Sequence, residues 1–209
     1  MKEVDLMQSV EVTQSPLFSP LLQRYTLQEF WALAEPEDRY HYDLIGGTLF
    51  MVPPPTPPHG TLDARLAASL HDHLKSNNIS GQVHHPREAI YVDELGTYLE
   101  PDMMYVSEAR RQQMGPKRTS ADIVVEYASK STAVYDRTTK ADTHLALGVR
   151  ELWIVDSSTM TIEVRHAETC EDKPTWKVQL YSQGDWAESN VLPGWRVSVE
   201  ELFEGLTEE

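Results

Sequence analysis

The chain has one cysteine, Cys170, in 209 residues, so no internal disulfide can form. The plain reading is a reducing cytoplasm. No apolar run approaches the ~20 residues that a membrane span needs, so no membrane partner is expected. The beginning of the chain lacks a basic segment followed by an apolar stretch, so no secretory signal is expected. There is no glycine-rich phosphate loop. A lone cysteine excludes a zinc-type cluster, and Ser129 has no histidine at a suggestive spacing, which argues against a serine hydrolase. Positive charge is also scarce: 18 Lys and Arg face 33 Asp and Glu, for a net charge of −15. Such a chain does not coat nucleic acid by bulk electrostatics.

What is present is an ordinary globular balance, 40% apolar and 24% charged, long enough for one domain with a real core. The negative charge is uneven. Residues 101–140 carry seven basic groups against five acidic ones, so that window is +2 while the rest carries −17. A polyanion met at one face only would suit that distribution.

Residues 1–24 show little periodicity and are expected to form a mobile N-terminal arm, with residues 25–209 as a single domain. Thr26 to Glu29 is a capping-box pattern opening a short helix through Leu33, ended by Pro36. Tyr40 to Val52 reads as a hairpin turning at Gly46-Gly47. No strand or helix can run through the prolines from Pro53 to Pro58. Leu62, Leu66, Leu70 and Leu74 recur every fourth residue, the apolar stripe of a helix closed by Asn77, Asn78 and Gly81. Val83 to Val92 reads as one strand. Met103 to Val106 is a short strand, and Ile123 to Val125 is a strand apolar on both faces. Asp136 to Leu147 reads as a helix stopped by Gly148. Further strands are read at Leu152 to Val155, Thr161 to Arg165, Trp176 to Tyr181 and Trp195 to Val199, with a closing helix from Glu200. The five tryptophans are expected in core and hairpin packing. The order predicts an α/β protein: one mixed sheet flanked by helices.

Four features carry the chemistry. Asp102 opens a strand. Glu126 ends a buried strand 24 positions later. Lys140 lies 14 further on, on the next helix, and His59 precedes the leucine stripe. An unpaired buried anion is expensive, so a carboxylate ending an apolar strand must be paired, exposed or bound to a cation. Two carboxylates from neighbouring strand ends can hold one divalent metal, and a nearby lysine can orient water or neutralise developing charge. The alternative is a structural pair of carboxylates salt-bridged to Arg137 or Lys140. Asp122, on the Glu126 strand, is too far along it to share a metal and is assigned to strand entry or a salt bridge.

The run Ala121 to Glu126, then Ser129, Tyr135-Asp136-Arg137, Lys140 and Gly148 to Asp156 resembles the Uma-two family, whose members are described as putative restriction endonucleases within the PD-(D/E)XK nuclease superfamily. Thr26 to Phe30, Tyr42 to Ile45 with Gly47, Val52 to Pro55 with His59, and Leu192-Pro193-Gly194 extend the match over roughly residues 24–205. The resemblance implies a restriction-endonuclease-like fold and a Mg²⁺- or Mn²⁺-dependent DNA endonuclease. By position, Asp102 and Glu126 are the metal-holding acids. The superfamily's usual lysine would fall at Ala128; here Lys140 takes that place, with Lys130 as rival. His59, Lys130 and Arg137 are possible substrate or supporting residues. A homodimer is expected, because two-fold related sites suit the two strands of a duplex. Gly46 and Thr48 stand where the family often has hairpin acids, and His144 stands where a tyrosine is common. These departures leave open a second function, a catalytically inactive nuclease-fold binding or scaffold protein.

Overall fold

The computed structural model describes residues 23–34, 40–55, 57–86 and 88–206. Of the expected arm, residues 1–22 lie outside the described residues, as does Pro36. Arg24 is already tied to the domain, its Nη1 donating to the Gly46 carbonyl at 2.7 Å, and Tyr25 N donates to Gly47 O at 2.8 Å.

Local signals set the element ends. Helix α1 (Leu27–Trp31) carries the full capping box, with Thr26 and Glu29 bonding each other's backbone N–H. It stops at Trp31, short of Leu33. Strands β1 (His41–Ile45) and β2 (Thr48–Val52) form the expected hairpin. Gly46 and Gly47 both have positive φ, +55° and +79°, as this two-residue turn requires.

The expectation of one sheet is corrected to three, of four, six and two strands. Val83 to Val92 is not one strand. It splits into β3 (Gly81–His84), which joins the large sheet, and β4 (Ile90–Val92), which joins the hairpin sheet. Strand β5 (Thr97–Leu99) was hidden behind Gly96 and completes the order β2-β1-β5-β4. The large sheet runs β10-β9-β8-β7-β6-β3. Its members are β6 (Met103–Ser107), β7 (Ile123–Ala128), β8 (Glu151–Asp156), β9 (Thr161–Cys170) and β10 (Lys173–Tyr181) beside β3. The last two are longer than their apolar patterns suggested. Strands β11 (Trp186–Glu188) and β12 (Arg196–Ser198) form the small ribbon, followed by α6 (Val199–Phe203). The described helices include none long and apolar enough to cross a membrane.

Among the described strands only β7 and β8 pair in parallel, so the chain must cross over between them. That crossover is not one regular helix. It comprises α4 (Ala133–Tyr135), a π-helical turn over Asp136–Lys140 and α5 (Ala141–Ala146). Side-chain parity divides the core. Ile123, Val125 and Tyr127 face α2 (His59–Ser76), whose Leu62, Leu66, Leu70 and Leu74 are all buried against them. Val124 and Ala128 face the other side, where Ala141 of α5 packs. Trp153 and Trp195 stack at 4.6 Å in the α2-side core. Trp31 and Trp186, at 57% and 43% exposure, lie outside the core: Trp31 meets Tyr91 edge-on, and Trp186 lies under the Arg196 guanidinium in the small ribbon.

Gly81 permits the close approach of β3 to β6. An added Cβ would lie 2.5 Å from the ring of Tyr105, which is buried and whose hydroxyl donates to Ser80 O. Gly81→Ala should therefore cost about 1–3 kcal/mol. A domain of this size loses roughly 2–4 °C per kcal/mol, so a scanning melt should show a fall of several degrees.

Candidate active site

The register of β6 against β7 pairs Met103 with Val125 and Met104 with Val124. Continuing it one step sets Asp102 opposite Glu126. Glu126 has the parity of Val124 and meets the crossover, whereas Asp102, one residue before β6, turns its carboxylate to Tyr127 and to the start of α2. Tyr127 N donates to Asp102 Oδ2 at 2.8 Å, which fixes the carboxylate at the strand start. The other Asp102 oxygen lies 3.3 Å from His59 Nε2, at the first residue of α2.

Lys140 is buried, and its Nζ donates to Glu126 Oε2 at 2.7 Å. One helical turn on, His144 Nε2 lies 3.0 Å from Glu126 Oε1. Burial and the Lys140 charge push the His144 pKa down to about 3, so the ring is neutral. Its Nδ1 is buried without a partner among the described residues, so the ring's hydrogen bond at this site is made through Nε2. Asp43, fully buried in β1, lies 3.8 Å from Lys140 Nζ and accepts from the Tyr135 hydroxyl at 3.0 Å. Asp136, one turn before Lys140, is buried beside the same group. Asp102, Glu126, Asp136 and Lys140 line a small cleft of about 60 Å³ together with His41, Pro53 and His59; Asp43 and His144 stand behind that lining.

The electrostatics follow from four acids around one lysine. Burial pushes the Glu126 pKa up to about 8; Lys140 opposes this, and Asp102 and Asp43 reinforce it. Burial likewise pushes Asp136 up to about 7 against the pull of Lys140. Burial also acts to raise Asp102, but the His59 hydrogen bond and charge, Lys140 and the Tyr127 N–H outweigh it and hold the group low. Burial opposes the charge on His59, yet Asp102 and Asp63 raise its pKa.

Three sequence expectations are changed by this arrangement. The hairpin does supply an acid, Asp43, three residues before Gly46. Arg137 turns away from the site, bonding Asp156 at 2.9 Å and Glu163 at 3.0 Å. Lys130 is exposed and does not line the cleft. Asp122 meets the expected salt bridge, to Arg110 at 3.0 Å. Asp43, Asp136 and His144 were not singled out as site residues, although Asp136, Lys140 and His144 follow one another at helical spacing.

Among the described residues, no group of three or more His, Cys, Asp or Glu is arranged to hold a metal. The donors at hand are the carboxylate oxygens of Asp102 and Glu126, hard ligands of the kind that Mg²⁺ and Mn²⁺ take. Asp43, Glu126, Asp102 and Asp136 gather around the single Lys140 ammonium, so the donor set is one a divalent ion would suit.

A mixed sheet with helices on both faces and this acid–lysine floor defines a restriction-endonuclease-like protein. The chain belongs to the Uma2 family, described as "Putative restriction endonuclease", whose model matches residues 27–200. Its fold is similar to that of a nuclease of the DUF820 group, described as putative, from Anabaena variabilis ATCC 29413. The TM-score is 0.67 at 18% identity, covering 86% of this chain and 97% of that one. No curated protein matches the chain.

The raised pKa values set a pH dependence. Between pH 6.5 and 8, folded Glu126 and Asp136 hold protons that their unfolded forms have released, and His59 acts in the same direction. Stability must therefore fall as pH rises through that window. His144 works oppositely, but only between about pH 3 and 6.5. Melting in chelator should show the midpoint falling from pH 6.5 to 8, and Glu126→Gln should flatten the fall. A parent midpoint that stays level or rises contradicts the assignment.

Proposed function

We propose that the protein is a divalent-metal-dependent endonuclease acting on the phosphodiester bonds of DNA, with residues 25–209 as its catalytic unit. The carrying observation is the cross-strand placement of Asp102 and Glu126 on a cleft floor, with Lys140 bonded to Glu126. The family's description supports the reaction class. Asp102 and Glu126 would hold Mg²⁺ or Mn²⁺, which when bound lowers the pKa of water and offsets charge on a phosphate. Lys140 keeps its proton, since the acids around it raise its pKa against the effect of burial. Its ammonium can orient the attacking water and stabilise charge developing on the phosphate. His59, on the cleft wall, is placed to meet the substrate's own charge. The exposed thiol of Cys170 suits a reducing, cytoplasmic setting.

One observation favours a second reading, a nuclease fold kept as an inactive scaffold. Each carboxylate oxygen of Asp102 and Glu126 already has a protein partner, as in a purely structural network. Melting separates the two. On the catalytic reading, saturating Mg²⁺ or Mn²⁺ raises the midpoint by mass action, about 2.7 kcal/mol at a hundredfold excess over the dissociation constant. Glu126→Gln or Asp102→Asn removes that rise. Metal-free Glu126→Gln melts no lower than the metal-free parent, because Asp43, Asp102 and Asp136 still offset Lys140. A parent indifferent to both metals, with a Glu126→Gln variant that melts well below it, supports the scaffold instead.

Lys140→Met should reduce cleavage of plasmid or oligonucleotide DNA by at least about 100-fold, the scale of losing one preorganised charge donor. It should leave the metal-induced rise in melting temperature in place. Lys130→Ala should cleave like the parent. The reverse pattern would transfer the role to Lys130.

A further inference from the structure

The large sheet ends on β10, nine residues long and paired only with β9. Among the described residues no other backbone group bonds to it. A long open edge carrying apolar side chains is a template for another strand, which proteins seldom leave bare. Here Val178 is 53% exposed and Leu180 61%. We propose that β10 pairs antiparallel with β10 of a second copy of this chain, about a two-fold axis at Val178, joining two six-stranded sheets into one.

The hairpin turn decides which backbone groups are available. Glu171 and Asp172 have φ of +48° and +62°, a two-residue turn closed by the pair Cys170 and Lys173. Such a closing pair exchanges both hydrogen bonds, and the pattern then alternates. Odd-numbered residues of β10 therefore bond to β9. Trp176, Val178 and Leu180 turn their N–H and C=O outward. Pro174, which has no N–H, lies beyond them.

An axis at Val178 makes the outward groups meet: Val178 faces Val178, and Trp176 faces Leu180. These side chains share one face by parity, so an apolar strip forms across the axis. On the other face Lys177 meets Gln179 and Thr175 meets Tyr181. No like charges stand opposed, and Lys177 already has Glu168 at 3.5 Å. Moving the axis one residue, to Lys177, would set two lysines against each other. The strand can thus pair with itself without opposing like charges, as a two-fold interface requires. One strand pair is smaller than a standard interface, so the dimer is expected to be concentration-dependent. The net charge of −15 on each copy opposes association, so salt should strengthen it.

Sedimentation of the full chain at increasing concentration and salt tests this. The parent should move from its 23.8 kDa monomer toward twice that mass. Val178→Pro removes only an outward N–H, and Val178→Lys opposes two cations at the axis. Both should remain monomeric with the parent's melting temperature. Val178→Cys, made with Cys170→Ser, should cross-link on oxidation, because hydrogen-bonded antiparallel residues lie about 5.5 Å apart at Cα, within disulfide range. A parent that stays monomeric at the highest concentration overturns the proposal. So does a dimer that persists in both the proline and lysine variants, or one that does not cross-link at position 178.

Discussion

The Lys140 ammonium is buried among Asp43, Glu126 and Asp136, and it carries the Coulomb balance of the whole centre. A lysine in a protein interior is tolerable only when its charge is answered. Here several acids answer it, and burial raises the pKa of two of them, Glu126 and Asp136, against the pull of Lys140.

The rest of the architecture holds this one group in place. The parallel pairing of β7 and β8 obliges the chain to cross over, and the crossover carries Lys140 and His144 back over Glu126. The π-helical turn falls on Asp136–Lys140, in keeping with the frequent siting of such turns at functional positions. From the other side, the small hairpin sheet delivers Asp43, which Tyr135 and the Glu100 N–H hold. Tyr127 ties the two faces together. Its backbone fixes Asp102, its ring packs on His59, and its hydroxyl reaches Asp63 on α2.

Site geometry and rigidity are joined in β7. A strand buried at every position cannot shift its register without exposing one face's apolar set, so the separation of Asp102 and Glu126 is fixed by packing on both sides. The outer strands have no such constraint. There the sheet ends in a hairpin that projects beyond the core, with most of β10 exposed.

Periodicity and composition alone determined a great deal. The leucine stripe specified α2, because 3.6-residue spacing leaves one face to bury. Continuous apolar character specified β7 and β8, since only a strand covered on both sides tolerates it. The apolar run before Glu126 singled out that residue, because an unanswered anion there would be too costly, although β7 does not end there and continues to Ala128. Pairing across long sequence distances was not legible. Val83 to Val92 looked continuous, but its ends belong to two sheets, and no local pattern encodes which partner a short strand will find. Asp43 passed as an ordinary hairpin residue, since its nearness to Lys140 exists only once β1 packs beside the crossover. His144 stood out only as a departure from a family pattern; its bond to Glu126 depends on the helix lying over β7. Sequence determined which groups had to be buried or paired, because desolvation acts on each residue. Tertiary structure decided which of them meet, because contact between distant residues is set by how the elements pack.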